Sequence, residues 1–168
     1  MIINKEQRVG VFVDVQNMYY SSKNLYNAKV NFAEILKASV RGRRLIRAKA
    51  YVIRAFIEEE KKFHEALSKI GYEVRSKDLQ TFAGGAKKGD WDIGIAMDTI
   101  ELAHKLDTVI IVSGDGDFID LVQHLRRAMG CRIEVMAFGK SCSGKLREEA
   151  DEFIDLDNNK KYLMPAKN

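Results

Sequence analysis

Apolar residues along this chain follow two alternating patterns, short continuous runs and longer helical repeats. The runs Val9–Asp14 (VGVFVD) and Thr108–Val112 (TVIIV) are almost entirely apolar, which is typical of strands buried on both faces. Phe32–Val40 and Glu58–Ile70 repeat apolar residues every three or four positions, which predicts amphipathic helices. The same patterns predict further strands at Leu45–Ile53, Tyr72–Ser76, Arg132–Phe138 and Phe153–Leu156, and further helices at Asp92–Leu106, Asp117–Ala128 and Gly144–Glu152.

The alternation of strands and helices predicts the fold class. Strands joined by helical crossovers form parallel sheets, so we expect a single α/β domain with a central, mostly parallel sheet flanked by helices. A length of 168 residues suits one domain. We expect the domain to extend over residues 1–156, and the polar segment 157–168 to be a loosely held C-terminal tail.

The composition of the chain limits the classes of protein to which it can belong. No apolar stretch approaches the roughly 18 residues that a membrane span requires, and the opening segment MIINKEQ lacks the layout of a signal peptide. Two cysteines, Cys131 and Cys142, are too few for a disulfide framework or a zinc site. These features predict a cytoplasmic protein without a membrane partner.

Charge is unevenly distributed along the chain, whose net charge is +4. The segment 35–57 contains seven Lys or Arg and no acid, whereas the segment 89–121 contains eight acids and one Lys or Arg. A basic flank beside an acidic centre suits a metal site that handles a polyanion, although two solvated surfaces would give the same counts. Arg43, Arg44 and Arg47 are therefore candidates for substrate contacts.

Candidate chemistry lies where apolar strands end in acids. Asp14 ends the first strand, and Asp115 and Asp117 follow the strand Thr108–Val112. The working groups of a parallel sheet lie beyond the C-terminal strand ends, so these acids converge if the two strands are neighbours. Hard divalent cations such as Mg²⁺ take carboxylate oxygens as ligands. The glycines within Ser113–Asp117 are expected to allow tight turns, and a turn followed by a helix cap would explain any one acid alone.

A third acidic segment, KKGDWDIGIAMD, contains Asp90, Asp92 and Asp98. Asp90 or Asp92 can cap the helix that follows, and Asp98 shares a stripe with residues 101 and 105 that is typical of a solvated helix face. Lys87 and Lys88 precede these acids in a glycine-rich loop and are candidates for phosphate contacts.

Two further side chains near the acids have alternative roles. Asn17 follows Asp14 by three residues, so it can cap a helix, donate to Asp14 or donate to a substrate oxygen. Trp91 is more consistent with a core anchor than with a stacking platform for a base.

Three ordered blocks of the chain, VGVFVDVQNMYY, KKGDWDIGIAMD and TVIIVSGDGDFIDLV, resemble the signature blocks of the NYN domain, the LabA-like branch of the PIN-like nucleases. The resemblance spans roughly Val9 to Leu156. It implies a Rossmann-like parallel sheet, an acidic pocket and metal-dependent cleavage of RNA. One departure is that two residues separate Gly89 from Asp92 where the usual block has one, which leaves open whether Asp90 or Asp92 faces the pocket.

Carried over residue by residue, the resemblance implies a catalytic pocket formed by Asp14, Asp92, Asp115 and Asp117. These four acids, joined by Asp98, would hold Mg²⁺ or Mn²⁺. The side chains expected to bind substrate are Asn17, Ser113, Lys87, Lys88, Arg43, Arg44 and Arg47.

The function predicted from these features is a metal-dependent ribonuclease that acts on single-stranded or structured RNA. An RNA-binding or regulatory module with weak or no catalysis stays open, as does a metal-dependent phosphohydrolase of small substrates. The first strand lacks an Asp-x-Asp pattern (Asp14-Val-Gln), which argues against the aspartyl-phosphate type of phosphohydrolase. The oligomeric state also stays open, with a homodimer as one alternative.

Overall fold

A six-stranded parallel sheet forms the centre of the computed structural model, which describes residues 3–54, 58–85 and 87–165. Its strands, in the order β4-β3-β1-β7-β8-β9, are β4 (Glu73–Asp78), β3 (Arg44–Arg54), β1 (Arg8–Asp14), β7 (Thr108–Val112), β8 (Arg132–Ala137) and β9 (Glu152–Asp155). All five pairings are parallel, so the predicted α/β fold with a parallel sheet is confirmed.

Helices cover both faces of this sheet: α1 (Val15–Tyr26), α2 (Phe32–Val40), α3 (Glu58–Ile70), α4 (Asp92–Leu102), α5 (Ile119–Arg127) and α6 (Gly144–Glu149). Successive residues of a strand point to opposite faces. Accordingly, Val11 and Val13 belong to one apolar cluster and Phe12 to the other. The first cluster includes residues of α1, α2 and α3, and the second includes residues of α4, α5 and α6.

Four short strands lie outside the central sheet. Strand β2 (Ala28–Val30) pairs with β10 (Leu163–Pro165), and β5 (Gln80–Thr81) pairs with β6 (Lys87–Lys88), both antiparallel. Short 3-10 turns complete the fold at Ala103–Lys105, Gly116–Phe118, Gly139–Ser141, Leu156–Asn158 and Lys160–Tyr162.

The expectation of a loosely held C-terminal tail was wrong for residues 157–165. Strand β10 is paired with β2, and Tyr162 is only 6% exposed. Asp157 accepts hydrogen bonds from the Tyr26 hydroxyl and from the backbone N–H of Lys140. One buried aromatic ring and a strand pairing hold this segment although most of its side chains are polar.

Helix α1 was not predicted, because its buried face is only half apolar. The residues it buries are Val15, Met18, Ser21 and Ser22. The predicted helix at residues 92–106 ends earlier, at Leu102, and continues as the 3-10 turn Ala103–Lys105. No helix in the described ranges combines the length and apolar character needed to cross a membrane.

The order of the strands locates a crevice at one edge of the sheet. The chain adds β3 and β4 on one side of β1, then returns to add β7, β8 and β9 on the other side. Val13 of β1 is in register with Val112 of β7, which confirms the predicted adjacency of these two strands. Ligands of open α/β sheets bind beyond the C-terminal strand ends at such a reversal of strand order.

Candidate metal centre

Three carboxylates meet beyond the C-terminal ends of β1 and β7. Asp14 ends β1, Asp115 follows β7, and Asp92 opens helix α4; one oxygen of each lies within 4.8 Å of the others. Asp14 is buried, whereas Asp92 and Asp115 are half-buried. The predicted convergence of Asp14 and Asp115 is therefore confirmed, and Asp92 joins them.

Hydrogen bonds hold the Asp14 carboxylate in one orientation. Its Oδ1 caps helix α1 by accepting from the backbone N–H of Asn17 at 3.2 Å, and its Oδ2 accepts from the Ser113 hydroxyl at 3.0 Å. The Asn17 side-chain oxygen accepts from the backbone N–H of Gly114 at 2.9 Å, which ties α1 to the loop after β7. Ser113 is fully buried and positions Asp14, and its predicted contact with substrate stays a prediction.

The glycines after β7 are required for close approach rather than for turns. Gly114 and Gly116 both lack the positive φ of a glycine-specific turn. A Cβ on Gly114 would lie 3.0 Å from the Cα of Cys142 and 3.2 Å from the carbonyl oxygen of Ser141. A side chain here would therefore push the loop at residues 141–143 away from the acids.

Burial and the mutual repulsion of the carboxylates govern the electrostatics of the site. Burial, followed by the charges of Asp115, Asp90, Asp14 and Asp117, raises the pKa of Asp92 to about 7. Burial also raises the pKa of Asp14 above its ordinary value. Within the part of the chain that the structure describes, none of the three clustered acids forms an ion pair with Lys or Arg.

Asp90 and Asp117 lie beside the three-carboxylate group. Asp90 accepts a hydrogen bond from the backbone N–H of Asp92 at 3.2 Å, so Asp90 supports the start of α4 and Asp92 is the clustered acid. Asp117 is exposed, and its backbone N–H donates to Asp115 at 2.9 Å. Asp117 is close enough for its charge to raise the pKa of Asp92, although it lies outside the group itself.

Asp98 is engaged elsewhere, so its predicted role as a metal ligand was wrong. Its carboxylate accepts from the Tyr51 hydroxyl at 2.7 Å, from Lys49 at 2.9 Å and from Arg75 at 2.9 Å. Burial by itself would raise the pKa of Asp98, but these three partners outweigh it and lower the pKa. The prediction of a solvated helix face was wrong as well, because Asp98 is 8% exposed.

Trp91 anchors the start of helix α4, in agreement with the core-anchor prediction. Its indole N–H donates to the backbone carbonyl of Val52 at 3.0 Å. The ammonium of Lys77 lies 4.5 Å and the guanidinium of Arg75 lies 5.0 Å from its ring centroid. Trp91 thus fixes the neighbouring Asp92 relative to β3.

The first residues of β3, which belong to the basic segment, lie far from the acids. Strand β3 is parallel to β1, with Arg44 opposite Arg8 and Tyr51 opposite Asp14, so Arg44 is roughly 20 Å from Asp14 along the strands. Arg43 is buried against Glu134 at 2.8 Å, so its predicted role in substrate binding was wrong.

The other predicted basic contacts differ in what the structure describes. Arg44 pairs with Glu6 at 3.7 Å, and Arg47 pairs with Glu73. The backbone of Lys87 and Lys88 forms β6, but their side chains lie outside the described part of the chain, so their role stays a prediction.

An open cleft of about 290 Å³ leads from the acids along helix α1. Beyond the acids, the residues that line it include Asn17, Tyr20, Asn24, Leu25 and Ser141. The predicted site omitted Tyr20, although the tyrosines of DVQNMYY follow Asp14 by only five and six positions. Their relation to the site becomes clear only when α1 is recognised as a helix that starts at the acids.

Comparison with known proteins agrees with this architecture. A model of the NYN domain matches residues 8–157. The chain belongs to the NYN domain family. The resemblance predicted from the three sequence blocks is therefore confirmed. This NYN domain is 26% identical over 174 residues to the low amplitude and bright protein LabA of Synechococcus elongatus, covering 95% of this chain and 89% of that protein.

A solved structure also resembles this NYN domain. It is the crystal structure of a protein of unknown function from Vibrio parahaemolyticus RIMD 2210633, with a TM-score of 0.88 and 32% identity. The match covers 98% of this chain and 100% of that chain.

The three acids of this NYN domain fit a divalent cation. Their donor set consists only of carboxylate oxygens, which is the preference of Mg²⁺ and similar hard cations. A buried carboxylate such as Asp14 is unfavourable unless it is paired, hydrogen-bonded or bound to a metal. Since two further acids adjoin it, a bound cation would relieve the repulsion among all three.

Proposed function

We propose that this protein is a metal-dependent ribonuclease that hydrolyses RNA phosphodiester bonds. The observation that supports this best is the convergence of three carboxylates from three separate chain segments, at a reversal of strand order, without a compensating Lys or Arg among the described residues. Membership of the NYN family, within the PIN-like nucleases, supports a nucleic acid as the substrate.

We assign the clustered acids to metal binding and their neighbours to positioning. Mg²⁺ or Mn²⁺ held by Asp14, Asp92 and Asp115 would stabilise charge on the phosphate oxygens and lower the pKa of the attacking water. Ser113 and Asn17 hold Asp14 in place, and Trp91 holds the first turn of α4. Asp117, exposed beside Asp115, is our candidate for the group that accepts the proton of the attacking water.

A cleavage assay tests this function directly. Labelled single-stranded RNA is incubated with the protein in Mn²⁺, in Mg²⁺ and in chelator. Asp115→Asn retains the side-chain shape but removes the charge, so it should lower the rate at least about 100-fold, or about 2.7 kcal/mol in the barrier. Glu148→Gln, at an exposed position of α6, is the control and should cleave like wild type.

The other outcomes of this assay identify the alternatives. RNA binding without metal-dependent cleavage would indicate a regulatory module. Hydrolysis of a generic phosphate ester without cleavage of RNA would indicate a phosphohydrolase of small substrates. A DNA strand of the same sequence tests the preference for RNA, which rests on the family. Wild-type cleavage by Asp115→Asn would refute the site itself.

A further inference from the structure

Helix α1 has an unusual distribution of side chains between its two faces. It buries Ser21 and Ser22, which are 8% and 0% exposed, while Tyr19 and Tyr20 are 50% and 53% exposed. Burial of an aromatic ring would normally stabilise a fold more than burial of a hydroxyl. The packing of the domain therefore does not explain why both rings face solvent.

One of the two rings lines the cleft that contains the clustered acids, and the other ring contacts it. Tyr20 lines the cleft that contains Asp14, Asp92 and Asp115. Tyr20 follows Asp14 by six positions, which corresponds to roughly 9 Å along the axis of α1. The Tyr19 and Tyr20 rings meet edge to face, with centroids 5.4 Å apart and planes at 73°, so each keeps at least one face that the other does not cover.

One lysine adjoins this aromatic pair, and a second lies near the end of α1, next to a residue of the cleft. The ammonium of Lys23 lies 5.6 Å from the centroid of the Tyr19 ring, one helical turn further along α1. Lys140 lies 5.5 Å from the Tyr26 ring, in the loop whose Ser141 lines the cleft. Among the residues described, neither lysine forms an ion pair, in contrast to the arginines of β3.

We propose that Tyr19 and Tyr20 form a stacking site for an unpaired base next to the phosphate that is cleaved. This inference rests on the proposed function, since the acids and their metal select a phosphodiester. Aromatic faces stack on any of the bases, whereas the bases of a duplex already stack on each other. Lys23 and Lys140 contact the neighbouring phosphates.

Trp91 shows why the tyrosines, rather than the tryptophan, suit this role. Its indole N–H is bonded to the backbone of Val52, and two cationic side chains lie over its ring. Among the residues that the structure describes, the ring and cation contacts of the two tyrosines are limited to each other and to Lys23. The rings of α1 are therefore the aromatic surface beside the acids that is accessible to a base.

Binding of a single-stranded RNA of about ten nucleotides, within the usual site size for such proteins, tests the stacking site. Dissociation constants are measured in Mn²⁺ with Asp115→Asn as the background, so that cleavage does not interfere. Adding Tyr20→Leu should weaken binding about tenfold, the effect of losing one stacked base, and Tyr19→Leu should act in the same direction. Tyr20→Phe retains the ring and should stay within about twofold.

Two controls separate stacking from a general effect. Phe82, between β5 and β6, is 48% exposed but outside the residues that line the cleft, so Phe82→Leu should leave binding unchanged. In a scan of abasic positions, one abasic residue should weaken binding by the Asp115→Asn background about tenfold and add nothing once Tyr20→Leu is present, as expected for two parts of one contact.

The failure of this inference differs from a failure of the proposed function. Unchanged affinity in Tyr20→Leu, or the same abasic penalty with and without the ring, would overturn the stacking site even if RNA is cleaved. Binding that depends on Tyr20, in a protein that cleaves no RNA in any metal, would leave the stacking site intact and overturn the nuclease. Melting temperatures of all variants, expected to match the background, verify that each is folded.

Discussion

The central sheet has a C-terminal edge, where its parallel strands end, and an N-terminal edge, where they begin. A buried carboxylate lies near each edge, and the charges around the two carboxylates have opposite signs. At the C-terminal edge, Asp14 is 9% exposed and adjoins two further acids. Near the other edge, Glu134 is 0% exposed and pairs with three arginines, at 2.6 Å, 2.8 Å and 3.1 Å: Arg41, Arg43 and Arg132. Burial favours a raised pKa for both, but the arginines lower the pKa of Glu134 while the pKa of Asp14 stays raised.

This difference separates a structural ion cluster from a candidate functional site. The charge of Glu134 is balanced within the chain, so the cluster is complete once the protein has folded. Among the side chains that the structure describes, no Lys or Arg forms an ion pair with Asp14, Asp92 or Asp115, so the proposed cation would balance their charge. Acids arranged in this way would destabilise the folded protein unless a cation binds, a common trade-off between stability and function.

The largest expected loss of stability follows from removing the Glu134 carboxylate from its ion cluster. Glu134→Ala leaves the guanidinium of Arg43, whose side chain is 1% exposed, without its carboxylate. Removing one partner of a buried ion pair destabilises by about 3–5 kcal/mol, which urea denaturation measures. Glu152→Ala is the matched control, since Glu152 shares Arg41 and Arg132 but is 28% exposed, and its effect should be clearly smaller. Equal losses of unfolding free energy in Glu134→Ala and Glu152→Ala would contradict the special role of the buried carboxylate at this edge.

Metal should stabilise the acidic edge by the next largest amount. A ligand that binds only the folded state stabilises it by about 2.7 kcal/mol at a hundredfold excess over its Kd. The melting temperature of wild type should therefore rise in Mn²⁺ or Mg²⁺. Asp92→Asn should gain much less, whereas the surface control Glu148→Gln should gain as much as wild type. A full metal response in Asp92→Asn would exclude Asp92 from the metal site.

The pH dependence of stability should have opposite signs at the two edges. The pKa of Asp92 is raised from 3.8 to about 7, so its contribution in chelator is present below the lower value and is lost as pH rises through about 7. The pKa of Glu134 is lowered, so its contribution is present above its ordinary value and is lost as pH falls through the folded-state pKa.

Two variants that replace a carboxylate by an uncharged amide measure these contributions to stability in chelator. Asp92→Asn should become progressively more stable relative to wild type from about pH 4 to pH 8. Glu134→Gln should differ least from wild type in acid, where Glu134 is protonated. Denaturation across this pH range checks the Asp92 trend, and its extension to more acidic pH checks the Glu134 trend. A constant difference between Asp92→Asn and wild type would show that Asp92 does not titrate as the cluster requires.

The smallest effect on RNA binding is expected from substituting the arginines at the start of β3. Arg44 and Arg47 are paired with acids and lie toward the edge away from Asp14, so their joint change to Gln should leave the salt dependence of RNA binding unchanged. Changing Lys23 and Lys140 to Gln should flatten the slope of log K against log salt by about 0.7 per lost phosphate contact. A flatter slope in the arginine variant alone would place the RNA on the other edge.

Local patterns along the chain sufficed to predict most of the fold. A strand buried on both faces must be apolar along its whole length, so Val9–Asp14 and Thr108–Val112 stood out as strands. Asp14 and Asp115 stood out as candidate ligands because each follows such a strand. Helix α1 escaped prediction because its buried face contains two serines, and hence the tyrosines beside the acids were not assigned to the site.

The sequence by itself determined which residues form the strands of the sheet and which acids end them, because both depend on neighbours along the chain. Only the tertiary structure decided which charges are compensated. Arg43 meets Glu134 across 91 positions of sequence, and Tyr51 meets Asp98 across 47. Such pairings depend on strand order and register, so a count of local charges identified Arg43 as a substrate contact and Asp98 as a solvated acid. The same long-range geometry brings Asp92 to Asp14 and Asp115, and no Lys or Arg side chain that the structure describes forms an ion pair with these three acids.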